Sequence, residues 1–491
     1  MRVPRLLTVI TLVVLMNVTC ARRPPAFTIL HFNDVYEIEP VEGGRAGGLA
    51  RVAAFRSSLL KTEAPVLTTL GGDYLSPSAI GSAKINGQPL AGRQMVDVLN
   101  AVGLDWATFG NHEFDLPESA FHQRLAEQKF KLVSSNVTNE NGYFFDGTTR
   151  STVVPIHTRA RDLRIGLIGL TLDANPKPWV KYLPPIEAAK AEIARLRSAG
   201  PVDAIVALTH LTLAEDQALV SEVGDIDLVL GGHEHDNWML RRGSRFVPIL
   251  KADSNVRSVF VVRLTFDRGD GRPSIAARLQ VIDDRIAPDP KVQAIANGWR
   301  AKAFEAFKQQ GFDPATVVAT ISEPLDGRES TVRNMPGRLT DLIADSMLRE
   351  AGQADVALFN SGSIRIDDVL RPGPLTQYDV MRVLPLSGAV VKATLDGVLL
   401  AQVLDAGMKN QGGGGYLQTA GVTRADGRWL IGGKPLVPAH RYQVALNDFL
   451  LSGSEANLGF LVRTNPHVRD IHQLRDVRQA LIAELRAKYG K

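Results

Sequence analysis

Five short polar clusters, each directly behind an apolar run, constrain this chain more than anything else in it. They are Asn33-Asp34-Val35-Tyr36, Gly71-Gly72-Asp73, Gly110-Asn111-His112-Glu113-Phe114-Asp115, Thr209-His210 and Gly231-Gly232-His233-Glu234-His235-Asp236. The runs before them, at 27–32, 66–70, 106–109, 204–208 and 227–230, have the length and composition of short buried strands. In an open α/β sheet, ligands collect beyond the carboxyl ends of the strands. Five polar clusters placed there are expected to converge on one cleft.

The side chains in these clusters suit divalent cations, which take carboxylates, imidazoles and an occasional amide oxygen. Asp34, Asp73, Asn111, His210, His233 and His235 supply that mixture. His233 and His235 are two apart, so in an extended segment both would point the same way. An aspartate such as Asp73 can bridge two cations held about 3.5–4 Å apart. The glycines before the polar residues permit sharp turns and close backbone approach. Taken singly, Gly-Gly-Asp is commonly a turn and Thr-His a capped strand end. Gly-Asn-His-Glu is different, because consecutive Asn, His and Glu behind a buried strand have no packing rationale. Four of the ten histidines fall inside the five clusters, and together they point to a metal centre.

At 491 residues the chain exceeds one comfortable hydrophobic core, so two domains are expected. Its 45% hydrophobic and 22% charged residues are those of a globular protein. The net charge of +4 is spread without long runs of one sign, which argues against a nucleic-acid polymer as partner. Arg2 and Arg5 begin a basic amino terminus, followed by an apolar stretch at 6–16 too short to span a bilayer and then by Arg22-Arg23-Pro24-Pro25. Residues 1–25 are thus expected to be a signal segment, directing the chain across the inner membrane to the periplasm or cell envelope. The only cysteine, Cys20, sits just behind it. Acylation there would make the protein a lipoprotein tethered to the membrane. Ordinary cleavage near Cys20 or Ala21 is the alternative, since Asn17-Val18-Thr19 departs from the usual lipobox.

From 27 to about 283 the pattern alternates strands with helices, as at 49–60 and 94–101 (helical) and 165–170 (strand), which is α/β architecture. The stretches 246–250 and 259–266 are expected to be paired strands. Asp289 as N-cap, Pro290 in the first turn and Gly311 after the end punctuate a helix at 291–310. The expected division is 26–285 for the first domain, 286–312 for a linker helix and 313–491 for a second domain. That second part is also mixed, with a helix at 339–350, a strand at 356–359 running into Asn360-Ser361-Gly362-Ser363-Ile364-Arg365, a glycine-rich loop at 411–416 and a strand at 442–446 leading into Asn447-Asp448-Phe449.

The ordered set Asp34, Gly72-Asp73, Gly110-Asn111-His112-Glu113, His210 and Gly232-His233-Glu234-His235 resembles the calcineurin-like metallophosphoesterase signature. Gly110 to Asp115, followed by Asn360-Ser361-Gly362-Ser363-Ile364-Arg365, is similar to the 5'-nucleotidase family, which includes secreted bacterial nucleotidases, UDP-sugar hydrolases, 2',3'-cyclic phosphodiesterases and animal ecto-5'-nucleotidase. The resemblance implies an N-terminal β-sandwich flanked by helices, a linker helix and a second mixed α/β domain that moves against the first. It implies two divalent cations, Zn²⁺ or Mn²⁺, and water activated by metal for attack on phosphorus of a nucleotide or other phosphate ester. One cation would take Asp34, Tyr36 and His235; the other would take Asn111, His210 and His233, with Asp73 bridging. His112 would sit by the phosphoryl group, oriented by Asp115. Arg333, Asn360, Arg365, Phe449 and Glu455 would bind the rest of the substrate.

Three positions depart from the family pattern. The first motif is normally Asp-x-His, and here it is Asp34-Val35-Tyr36. Tyr36 either ligates as a phenolate or lines a site with fewer ligands, or else the site has become mononuclear and slow. One of the two aromatic rings that clamp a base is Leu386, and the usual Gly-Gly-Asp-Gly-Phe appears as Gly453-Ser454-Glu455-Ala456-Asn457-Leu458-Gly459-Phe460. The rival expectations are a cyclic phosphodiesterase or UDP-sugar hydrolase of the same family, and a degenerate nucleotide-binding surface protein.

Overall fold

A computed structural model of the chain describes residues 24–63, 65–267, 269 and 271–490. The basic start, the apolar stretch and Cys20 lie outside the described residues. No helix among the described residues is long and apolar enough to cross a membrane.

The first half is a sandwich of two sheets. One runs, edge to edge, Ser274–Val281, Ser258–Thr265, Ala26–Phe32, Val66–Leu70, Trp106–Ala107, Lys131–Val133 and Thr148–Thr149; the other runs Trp238–Arg242, Val247–Lys251, Leu228–Gly231, Ala204–His210, Asp162–Thr171 and Ser151–His157. Strand alternation explains the packing. Phe27 and Ile29 point between the sheets to meet Leu167, Val206, Leu208 and Leu230, while Leu30 and Phe32 point outward under helices. In the second sheet Ile165 and Leu167 face inward, and Ile168 and Leu170 pack beneath the helix Pro185–Ser198. With both faces covered, the central strands become almost continuous apolar runs.

The central strands are parallel, with Phe32 opposite Leu70, Leu70 opposite Ala107 and Leu208 opposite Leu230. All five carboxyl ends that precede the polar clusters therefore lie at one end of the sandwich. His31 ties the sheets together there, with Nε2 3.0 Å from the Gly231 carbonyl and Nδ1 3.0 Å from Thr69 Oγ1.

One expectation fails. Val247–Lys251 and Ser258–Thr265 are strands but not partners: the first lies beside Leu228–Gly231 in one sheet, the second beside Ala26–Phe32 in the other. Between them Asn255 and Val256 take left-handed conformations (φ 53° and 50°) that carry the chain across the sandwich.

The helix Pro290–Gln309 begins as its sequence dictates, with Asp289 accepting from the Lys291 and Val292 amides at 3.0 Å. Its buried face, Val292, Ala296, Trp299, Ala303 and Phe307, joins the helices Leu49–Thr62 and Arg93–Val102 to residues of the second half in one core. Trp299 Nε1 donates to Asp97 at 2.8 Å, and Phe304 packs on Tyr378 with ring centroids 4.9 Å apart.

The second half is built on a sheet ordered Leu417–Ala420, Val356–Asn360, Arg441–Asn447, Ala389–Asp396 and Val468–Asp476. The parallel pair at its middle, with Val356 opposite Val444, sets the carboxyl ends Asn360 and Asn447 side by side.

Candidate active site

At the end of the sandwich, Asp34, Asp73 and His210 bring one ligand atom each within 4.8 Å of one another, all buried. His210 Nε2 stands 3.2 Å from Asp73 Oδ2 and 4.0 Å from Asp34 Oδ1. Tyr36 Oη lies 3.0 Å from Asp73 Oδ2, 3.0 Å from His235 Nε2 and 3.4 Å from Asp34 Oδ1. The His233 ring packs edgewise on His210 with centroids 5.3 Å apart, and its amide donates to Asp34 Oδ2 at 2.8 Å. Asn111, next in the chain to His112, is buried.

Ordinary backbone preferences are overridden here. Asp34, Asp73, His233 and His235 have φ of 52°, 57°, 92° and 62°, a left-handed region that non-glycine residues adopt only where surroundings fix them. The glycines between them are sterically required: a Cβ on Gly72 would come within 2.6 Å of the Gly110 nitrogen, and one on Gly110 within 2.1 Å of Asp73 Oδ1. Asn33 locks the first cluster to the second sheet, exchanging hydrogen bonds with the Ala252 backbone at 2.8 and 3.0 Å and donating to Asp34 Oδ2 at 2.7 Å.

Electrostatics concentrate on the same atoms. Burial alone would lower the His210 pKa, but Asp73 and Asp34 raise it to about 9. Burial, reinforced by the charge of His210, lowers His233 to about 3. Burial pushes the Tyr36 phenol well above its usual 10, with Asp73 and Asp34 adding to the effect. Burial works to raise Asp73, yet His210 and His112 more than offset it and hold the carboxylate below its usual range.

This donor set fits divalent cations. Two fully buried carboxylates share a pocket with three imidazoles, and the buried Asn111 Oδ1 has no hydrogen-bond partner. An orphaned buried polar atom is costly unless something satisfies it.

Beside this cluster His112 Nδ1 is 2.6 Å from Asp115 Oδ2, and its amide donates to Asp73 Oδ1 at 2.8 Å. Arg365, from the second half, brings Nη1 to 3.2 Å from His112 Nε2. Arg333 pairs with Glu329, whose Oε1 is also 3.6 Å from Arg365 Nη1. Asn360 donates to Glu455 Oε2 at 2.8 Å and accepts from Asn447 at 2.9 Å. Phe449, two residues past Asn447, is 43% exposed, and Leu386 is 54% exposed. Arg365 is thus the candidate of the second half seen in contact with the first-half cluster; Asn360, Glu455 and Asn447 form a group of their own.

Several residues escaped the sequence reading. Glu113 accepts from the amides of Gly110, Tyr74, Asp73 and Leu75 at 2.5 to 3.1 Å, fixing two clusters with one buried carboxylate. Asn175 Nδ2 lies 3.3 Å from Asp115 Oδ1. Glu234, between His233 and His235, is held by the buried Lys251 and the Leu213 amide. Asp367 and Glu329 approach His235 from the second half, 3.0 and 3.7 Å from Nδ1. Only Glu113 and Glu234 carried a signal, as acids inside the motifs; nothing near the others in sequence marks them.

Fold and site together define a two-domain phosphoesterase. The calcineurin-like phosphoesterase model matches residues 27–237, and the 5'-nucleotidase C-terminal domain model matches residues 317–460. A 5'-nucleotidase of Bos taurus is 24% identical over 506 residues, covering 89% of this chain and 84% of that protein. The protein UshA of Yersinia enterocolitica is 26% identical, covering 87% and 86%. The solved structure of a 5'-nucleotidase precursor from Thermus thermophilus shares the fold, with a TM-score of 0.76 at 24% identity over 94% of this chain and 96% of that one. The chain belongs to the 5'-nucleotidase family, and it is a hydrolase of the metallophosphoesterase type.

Proposed function

We propose that this hydrolase releases phosphate from nucleotides with two divalent cations, Zn²⁺ or Mn²⁺. Asp34, Tyr36 and His235 would hold the first, Asn111, His210 and His233 the second, and Asp73 would lie between. The observation that carries this reading is the buried Asp34, Asp73 and His210 group, whose ligand atoms lie within 4.8 Å of one another. Cations so held would supply Lewis-acid polarisation of the phosphoryl oxygens and acidify an attacking water.

The chain's own groups do the rest. Asp115 orients His112, which stands with Arg365 where a phosphoryl group entering the cleft would meet donors. A guanidinium presents several donors in a plane, which suits phosphoryl oxygens. Phe449 would stack on the base, and Asn360, Glu455 and Arg333 would fix the remainder of the nucleoside. The domains would be 26–285 and 313–491, joined by 286–312. The protein would act in the periplasm or cell envelope after removal of its signal segment, with Cys20 as a membrane tether.

The exposed Leu386, in place of a second clamping ring, favours a second reading in which a 2',3'-cyclic nucleotide or UDP-sugar is the better substrate. Phosphate release from AMP, UMP, a cyclic nucleotide and a UDP-sugar, with Mn²⁺ or Zn²⁺, tests both. Turnover that needs metal and collapses in His112→Ala supports the enzyme, and the preferred substrate decides between the readings. No turnover at full metal occupancy would leave a nucleotide-binding surface protein.

A further inference from the structure

The imidazoles that face the candidate cations are braced in two different ways. His210 turns Nδ1 to the Gly71 carbonyl at 2.7 Å, a backbone group of its own domain. His235 turns Nδ1 to Asp367 Oδ2 at 3.0 Å, a side chain 132 residues further along the chain. Its other nitrogen, Nε2, faces Tyr36 Oη at 3.0 Å and Asp34 Oδ1 at 3.5 Å. The ring therefore has one edge on the cation-facing cluster and the other on the second domain.

Asp367 is itself held from several sides. Ser254 Oγ donates to Oδ2 at 2.7 Å, the Glu329 amide donates to Oδ1 at 3.0 Å, and Arg257 reaches the Asp367 carbonyl at 2.5 Å. Arg257 Nη1 is also 4.0 Å from Oδ2, and Glu329 Oε2 is 3.7 Å from the same His235 nitrogen. A carboxylate that accepts the Nδ1 proton fixes the tautomer, aims the Nε2 lone pair and makes it a better ligand.

We propose that Asp367 is the positioning residue for His235, so that the second domain completes the site of the first cation. This rests on the reading of His235 as a ligand. Loss of such a bracing group weakens metal binding by about ten- to a hundredfold, and only one of the two sites should feel it.

The test is titration of the metal-free full-length protein with Mn²⁺, counting free ion by electron paramagnetic resonance, for wild type, Asp367→Ala, Asp367→Asn and His235→Ala. Two Mn²⁺ should bind the wild type. Asp367→Ala should weaken one by about ten- to a hundredfold and leave the other unchanged. Asp367→Asn, which keeps an acceptor oxygen but loses the charge, should weaken the same site by a smaller, measurable factor. Asp367→Ala should also lower the melting temperature of the metal-free protein, because Ser254 and the Glu329 amide lose their acceptor. The loss at one Mn²⁺ site and not the other is therefore the readout that separates positioning from a general structural role. Unchanged binding in Asp367→Ala would overturn the proposal, as would an equal loss at both sites. Should Asp367→Ala not fold, wild-type affinity at both sites in Asp367→Asn overturns it. Unchanged binding in His235→Ala would instead remove the ligand reading beneath it.

Discussion

Tyr36 and His235 meet in the cleft, the phenol oxygen 3.0 Å from the imidazole Nε2, at the place where the family pattern puts a second histidine. Burial and two neighbouring carboxylates oppose ionisation of this phenol, so only a cation against its oxygen would favour the phenolate. If Tyr36 is a ligand, Tyr36→Phe lowers the affinity of one cation by about tenfold or more and spares the other. Metal content after dialysis against graded chelator reads this directly. Equal retention of both cations would make Tyr36 a lining residue.

His112 stands within reach of Asp115, Arg365 and the Asp73 carboxylate. Removing a donor aimed at developing phosphoryl charge costs about 10²–10³ in kcat. His112→Ala should show that loss with metal content unchanged, and Asp115→Asn a smaller one. A variant that loses KM alone would place His112 in ground-state binding.

Glu113 satisfies four backbone amides with one buried side chain. Its replacement by alanine strands those donors without water. Glu113→Ala should destabilise the metal-free protein by about 3–5 kcal/mol in denaturant unfolding. A change under about 1 kcal/mol would show that the cluster rearranges to find other acceptors.

His31 is buried and its pKa falls from 6.5 to about 4 because burial penalises its charge. The folded state thus refuses a proton that the unfolded chain accepts. The contribution is fully present above pH 6.5 and is lost as pH falls towards 4, by roughly 3 kcal/mol in all. His31→Gln should flatten that part of the stability profile, compared at pH 7 and pH 4.5 by guanidinium unfolding. A mutant whose profile parallels wild type would assign the acid loss to other groups.

Phe449 is the exposed ring of the second domain nearest in sequence to the Asn447 and Asn360 pair. Base stacking is worth about 1–3 kcal/mol, so Phe449→Ala should raise KM for AMP by about five- to a hundredfold. Ribose 5-phosphate, which has no base, is the control and should be unaffected. Equal losses on both substrates would exclude stacking.

Strand runs and motif residues were legible because both are local: an apolar run followed by glycine and a ligand-type residue marks a strand end wherever it falls. Helix limits were legible for the same reason, as the Asp289 cap shows. Pairing was not, since Val247–Lys251 and Ser258–Thr265 look like neighbours but separate at the left-handed Asn255 and Val256. Asp367 and Glu329 were invisible as well, because their meaning depends on a histidine far away in the chain. Nor does any composition rule reveal that Asp34, Asp73, His233 and His235 would accept positive φ.

The buried face of the helix Pro290–Gln309 belongs to a hydrophobic body that includes Leu49 and Leu99 at one end and Phe312, Leu342 and Met381 at the other. An apolar body shared in this way couples the two halves and restrains their independence. A protease nick in front of Pro290 would not liberate two tidy modules; it would bare a greasy seam on each fragment, and both would be prone to clump.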